Sequence, residues 1–259
     1  MKIIRTKTAV ILCGGRGTRL GQLGKKIPKC LVQIHGKPII WYIIKTLRKN
    51  TFNHFVLPIG YKGHMVKRYL DHEKDFKKFN IQIIPTGQNT SIAKRIFIIK
   101  KKIISENFLL LNGDAIFDFN MNKVFKNHIK NKIDMTLVGC ESQLAFGTIG
   151  VKKNKIVSFD RELTYDAVHV KNKKKFIAYV YSGMSIMNLK LLKTSFKNFV
   201  NFEKELYPKI IKKYKCDLAT PKGYWHSIDN TKDMDILNKK NNSKKFFGIR
   251  KIIKNLIKI

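Results

Sequence analysis

Three glycines, two arginines and a threonine are packed into Gly14-Gly-Arg-Gly-Thr-Arg19, directly after the apolar run Ala9 to Cys13. An apolar run of this length that stops at glycine reads as a buried strand. Glycines at its end let the chain turn sharply and bring backbone N–H groups against a ligand. Arginine beside such a loop suits phosphate oxygens, because its planar fork can bond two of them at once. The stretch reads as a cradle for a phosphorylated ligand at the carboxyl end of a parallel-sheet strand. A plain strand-to-turn connection is the competing reading. Two familiar phosphate loops are excluded. Leu20 stands where the dinucleotide fingerprint needs its last glycine, and no Gly-Lys-Ser/Thr triplet occurs.

Two more polar groups sit at suggestive places. Lys29 follows Pro28, whose fixed backbone helps set the lysine's direction. Asp114 closes Asn112-Gly-Asp114 at the end of the apolar stretch Asn107 to Leu111. A carboxylate just beyond a buried strand lies where α/β sheets bind ligands. Asn-Gly-Asp standing alone would read as a turn.

Those residues need a scaffold, and apolar patterning supplies one. Strands are expected at Lys7 to Cys13, Phe55 to Ile59, Ile81 to Pro85, Asn107 to Leu111 and Asp134 to Cys140, with Cys30 to Ile34 short and extended. Helices are expected after Gly36-Lys-Pro38, from about Met65, and after a cap at Asn89 or Thr90 with Ile92, Ile96, Ile99 and Ile103 buried. Phe117-Asp118 reads as the entry to another helix. This alternation predicts an α/β fold: a mostly parallel sheet with helices on its faces. From about Glu141 the spacing changes, and Phe146 to Val151, Lys155 to Phe159 and Phe176 to Met187 read as strands of a smaller mixed β region. Helices near Leu189–Phe196 and Phe202–Tyr214, a strand near Asp217 and a helix capped by Asn230-Thr-Lys-Asp233 complete the chain.

At 259 residues the chain can bury a sizeable core as one large domain. It carries 53 Lys+Arg against 17 Asp+Glu, a formal +36. Such a charge suits a polyanionic partner, but the lysines are spread along the chain, which favours compositional drift over nucleic-acid binding. The four cysteines lie far apart, with no Cys-x-x-Cys pair, so no zinc site or disulfide framework is expected. No signal-peptide pattern is present, and no apolar run approaches the ~20 residues that cross a bilayer, so a cytoplasmic location is expected. Residues 244–259 form a basic amphipathic tail with Ile249, Ile252, Ile253, Leu256 and Ile257 on one face. Such a helix can make weak peripheral contact with an anionic membrane, or pack on its own domain or a neighbouring subunit.

Gly14-Gly-Arg-Gly-Thr-Arg-Leu20, Pro28-Lys29, Gly36-Lys-Pro38, Gly113-Asp114, Phe146-Gly147 and Ile228-Asp229 together resemble the sugar-1-phosphate nucleotidylyltransferases, in the family's order to about residue 237. Within that family the chain is most similar to the glucose-1-phosphate cytidylyltransferases. Lys37-Pro-Ile-Ile-Trp41, Gly60-Tyr-Lys-Gly63 and Thr86-Gly87 with Thr90 and Arg95 carry that likeness. It departs from the family at Cys13 and Cys30, where alanine and proline are common, and at Leu163 for a lysine near the sugar phosphate, and from the cytidylyltransferase branch at Ala93-Lys94, where that branch has two glycines.

The resemblance implies a Rossmann-like nucleotidyltransferase domain over residues 1–243, with a sugar-binding part at about 141–229. It implies attack by a sugar-1-phosphate oxygen on the α-phosphorus of a nucleoside triphosphate, CTP with glucose 1-phosphate or a related sugar, releasing pyrophosphate. Guanylyl, uridylyl or thymidylyl transfer, or a non-catalytic sugar-nucleotide-binding relative, are the alternatives. Arg19 and Lys29 would be catalytic, and Leu12, Gly14, Gly15, Gly17, Thr18, Thr90 and Arg95 would hold the nucleotide. Gly147, Glu162 and Gly183 would hold the sugar phosphate, with Lys171, Lys173 or Lys174 available to replace the lysine absent at Leu163. Asp114 and Asp229 would hold Mg²⁺, which commonly takes one or two carboxylates plus phosphate oxygens. Relatives are commonly oligomers, so a homo-oligomer is expected.

Overall fold

The computed structural model describes residues 6–143, 148–152, 155–160, 164–165, 167–169, 177–193, 198–199, 201–239 and 244–257. Its labelled strands are β1 (Thr8–Leu12), β2 (His54–Ile59), β3 (Asn80–Pro85), β4 (Asn107–Asn112), β5 (Ala115–Phe117) and β6 (Met135–Cys140). They continue with β7 (Ile177–Asn188), β8 (Cys216–Ala219) and β9 (Trp225–Ser227). The central sheet runs in the order β8-β6-β7-β4-β1-β2-β3. Its pairings are parallel between β4, β1, β2 and β3 and between β6 and β8. Only β7 runs against its neighbours β4 and β6. The expected mostly parallel α/β sheet is present.

Helices α1 (Ile39–Lys49), α2 (Gly63–His72), α3 (Ile92–Ile99), α4 (Met121–Lys130), α5 (Tyr207–Lys213), α6 (Thr231–Asn238) and α7 (Lys244–Ile257) flank this sheet. Strand periodicity divides the core between the two faces. Ala9 and Ile11 of β1 join a cluster with Ile40, Ile43, Ile44 and Leu47 of α1. Val10 joins the opposite cluster with Ile96 and Ile99 of α3 and Ile210 of α5. Each fully buried Ile or Leu of this kind contributes roughly 1.5–3 kcal/mol.

Several local expectations are corrected. Ser91, not Asn89 or Thr90, caps α3: its hydroxyl accepts the Lys94 N–H at 3.3 Å. Ile92 is exposed, and Ala93 and Arg95 take its place in the buried face. Phe117 ends the strand β5, and α4 begins only at Met121 behind an Asn120 cap. Cys30 lies in a 3-10 turn, Lys29–Leu31, before any extended chain. Among the described residues of 189–196, a 3-10 turn over Leu189–Leu191 is present where a helix was expected. Strand β7 belongs to the central sheet, whereas the sequence reading put it in the smaller region. The described parts of that region form a β-hairpin, Thr148–Lys152 with Lys155–Asp160, and short pairings that include Ala167–His169 on β7.

The tail is helical, as its pattern requires, and much of its apolar face packs on the domain, while Ile257 stays exposed. Ile249, Ile252 and Leu256 are buried in the core that contains α1 and α6. Of the placements left open for the tail, packing on its own domain is the one these three residues make. Among the described residues no helix is long and apolar enough to cross a membrane.

Candidate active site

Strands β1 and β4 lie side by side with Leu12 opposite Asn112. The glycine loop and the Asn112-Gly-Asp114 turn therefore leave the sheet together, tied by the Gly113 N–H to the Leu12 carbonyl at 3.2 Å. They open into a cleft of about 650 Å³. Leu12, Gly14, Gly15, Gly17, Thr18, Arg19, Lys29, Thr90, Arg95, Asp114 and Asp229, each expected from sequence, all line it. Gly183 stands beside it: a Cβ there would come within 2.8 Å of the amide of Asn112, another lining residue. Gly147 and Glu162, together with Leu163, Lys171, Lys173 and Lys174, lie outside the described residues.

Asp114 and Asp229 are far apart in sequence, and a small ladder brings them together. Strand β9 pairs antiparallel with β5, setting Ser227 opposite Ala115. One step further, the Ile228 N–H donates to the Asp114 carbonyl at 2.9 Å. Asp114, directly before β5, and Asp229, two residues beyond β9, are thereby both brought to the cleft that they line.

Lys29 reaches the same point from the 3-10 turn after Pro28. Its ammonium donates to Asp114 Oδ2 at 2.8 Å and to Asp229 Oδ1 at 2.8 Å. Burial alone would lower the lysine's pKa, but the two carboxylates outweigh it and hold Lys29 above its usual value. Burial likewise acts to raise Asp229, and the Lys29 ammonium, the Ser227 hydroxyl and Arg19 overcome it, leaving this carboxyl below its usual range. The Arg19 side chain is 79% exposed and touches Asp229 only at 3.4 Å. It is poised over the cleft with most of its donors turned to solvent.

Two facing carboxylate oxygens that already share one cation form a hard-oxygen donor set suited to Mg²⁺. Among the described residues there is no cluster of three or more potential metal ligands. A metal here would need further oxygens from a bound phosphate.

Arg95 takes a place the sequence did not disclose. It is 4% exposed, and its guanidinium donates to the carbonyls of Gly14, Ile59 and Gln88 and to the Thr86 hydroxyl, the last at 2.6 Å. A Cβ at Gly14 would fall 2.5 Å from that guanidinium, so the glycine is required there for close approach. Gly17 serves differently: at φ 61° it makes the left-handed bend that turns the loop toward Arg19. Thr90 turns its hydroxyl to the Thr86 carbonyl at 2.5 Å.

Arg16 and Asn89 are cleft residues to which the sequence assigned no part in the site. Arg16 spans from the glycine loop to Asn89 at 2.7 Å and lies over the Tyr61 ring. The arginine inside the loop was visible, but its partner could not be chosen without the fold.

Known proteins resemble this chain in sequence and in fold. A family model described as nucleotidyl transferase matches residues 8–235. The probable glucose-1-phosphate cytidylyltransferase of Bacillus subtilis is 29% identical over 89% of this chain and 94% of its own. The D-glycero-alpha-D-manno-heptose 1-phosphate guanylyltransferase of Campylobacter jejuni is 29% identical over 86% of this chain and 99% of its own. Among solved structures, HddC from Yersinia pseudotuberculosis complexed with GMP-PN shares the fold at a TM-score of 0.65 and 20% identity, covering 88% of this chain and 96% of that one. The chain belongs to the nucleotidyl transferase family, among the sugar-1-phosphate nucleotidylyltransferases.

Proposed function

We propose that the protein joins a nucleoside triphosphate to a sugar 1-phosphate, giving a nucleotide sugar and pyrophosphate, with CTP and glucose 1-phosphate or a related sugar as the substrates. The observation that carries this reading is the convergence of Lys29, Asp114 and Asp229 at the mouth of the glycine loop. The attacking phosphate is already an anion, so the reaction needs no strong general base. It needs two polyanions aligned and charge neutralised on the leaving pyrophosphate.

The residues divide that work. Backbone N–H groups of the loop around Gly14, Gly15 and Gly17 receive the triphosphate, and Arg19 meets the departing phosphates. Lys29 moves from the carboxylates onto the α-phosphate, where charge builds in the transition state. Asp114 and Asp229 would hold Mg²⁺, which would supply charge neutralisation to the bound phosphates. A non-catalytic role fits poorly with three charged groups assembled from three separate segments.

A guanylyl reading is the second choice, because a guanylyltransferase relative matches at the same 29% identity as the cytidylyltransferase. Pairing each of four nucleoside triphosphates with several sugar 1-phosphates, and measuring pyrophosphate release, decides between them. CTP with glucose 1-phosphate is expected to turn over fastest. A strong preference for GTP would replace the cytidylyl assignment, and no turnover with any pair would sink the enzymatic claim.

A further inference from the structure

A second carboxylate stands behind Asp229, turned away from the cleft. Asp233 lies in the first turn of α6 and forms a capping box with Asn230. Its Oδ2 accepts the Asn230 N–H at 3.2 Å, as that motif requires, and also the Asp229 N–H at 2.9 Å. The second bond goes beyond helix capping, because it fixes the backbone of the residue that faces Lys29. The opposite oxygen, Oδ1, lies 3.6 Å from His226 Nε2. That nitrogen is buried and has no hydrogen-bond partner among the described residues, so the carboxylate is the group it faces. His226 in turn sits in β9, opposite Ile116 of β5. The segment from His226 to Asp229 is thus gripped on one side by the Asp114 strand and on the other by Asp233.

We propose that His226 and Asp233 are positioning residues of the nucleotidyl-transfer site: His226 fixes the Asp233 carboxylate, which fixes the Asp229 backbone and hence the direction of the Asp229 carboxylate. Residues that orient metal-binding or phosphate-binding groups from behind typically matter by 10–100-fold in affinity or activity. The inference rests on the reading of Asp114 and Asp229 as the cation-binding pair.

The test is Mn²⁺ affinity, read by electron paramagnetic resonance in the presence of a nucleoside triphosphate, alongside steady-state kinetics and thermal melting. His226→Leu removes the group facing Asp233, whereas His226→Gln keeps an amide donor there. Roughly 10–100-fold weaker Mn²⁺ binding is expected for His226→Leu, with kcat falling more than the KM for the sugar 1-phosphate rises. His226→Gln is expected to recover most of the loss. Mn²⁺ binding of His226→Leu equal to wild type would overturn the proposal. So would equal losses in both variants that track melting temperature, since the pair would then only anchor a helix. An inactive wild type whose Mn²⁺ binding is unchanged by Asp114→Asn points instead to failure of the underlying site reading, and the proposal falls with it.

Discussion

Two basic side chains line the same cleft and are held in opposite ways. Lys29 gives its ammonium to two acids, both of which keep part of their surface in water. Arg95 gives its guanidinium to three neutral carbonyls and a hydroxyl, and is almost sealed from solvent. Acids can exchange one cation for another, so the Lys29 contacts can be remade when phosphate arrives. The carbonyls it joins come from the glycine loop, the end of β2 and the loop before α3, and those of Gly14 and Ile59 also accept from the Tyr61 N–H and from Thr86, so the guanidinium ties together backbone that is already fixed from other sides. The first arrangement suits a reacting centre and the second a frame. A cation in a nucleotide cleft is therefore assigned by what its partners can do when it leaves.

Substitutions should separate the two regions cleanly. The largest effect is expected at the exchangeable end: Asp114→Asn abolishes Mg²⁺-dependent pyrophosphate release while the protein still melts as a folded domain. Unchanged turnover would remove Asp114 from the cation pair. Lys29→Met should lower kcat by about 10²–10³-fold, the usual cost of losing one preorganised transition-state contact. It should also raise Mn²⁺ affinity in the nucleotide-free protein, because an ammonium no longer competes for the two carboxylates. Weaker Mn²⁺ binding in Lys29→Met would break the idea of exchange.

Arg95→Met belongs to the frame and should act on stability before kinetics. Hydrogen bonds made by a charged group are each worth about 1.5–3 kcal/mol, and the variant loses four of them, so a total of about 3 kcal/mol or more is expected. For a chain of this size that is a melting-temperature drop of roughly 6–12 °C. A variant with unchanged melting but impaired nucleotide binding would show instead that Arg95 serves the ligand directly.

The smallest effect is on pH dependence. Lys29 is raised in the fold, so its stabilisation is complete below the unfolded lysine value and fades as pH climbs through the folded one. Asp229 is lowered, so its stabilisation is present above the unfolded value and fades as pH falls through the folded one. Their joint contribution should be level from about pH 5 to pH 9 and decline at both ends. Urea melts carried to more acidic pH than that range should show a shallower acid limb in Asp229→Asn, and an unaltered limb would contradict the pairing.

What was legible in the sequence follows the range of the forces involved. The glycine loop, β1 and Asp114 were readable because an apolar run, its glycine stop and the following polar group lie within a few residues. Their encounter with Asp229 needed β5 and β9, strands of three residues each whose partners are over a hundred positions apart. Strands that short carry no periodicity. Arg95 was recognised as a cleft residue, but its bonds depend on where three carbonyls point, which backbone geometry alone decides. The α3 cap was misplaced because Asn89, Thr90 and Ser91 all have suitable side chains and only one meets the Lys94 N–H. The tail's apolar stripe was correct as a pattern, while the surface it covers could be learned only from the fold.

The central claim concerns which phosphorus is attacked, and label transfer tests it directly. The preferred nucleoside triphosphate is supplied with ³²P at the α-phosphate in one reaction and at the γ-phosphate in another, each with the sugar 1-phosphate and Mg²⁺. Attack at the α-phosphorus places the α label in the nucleotide sugar and the γ label in pyrophosphate. A γ label found on the sugar product, or no labelled sugar product from either reaction, would contradict the roles given to Lys29, Asp114 and Asp229.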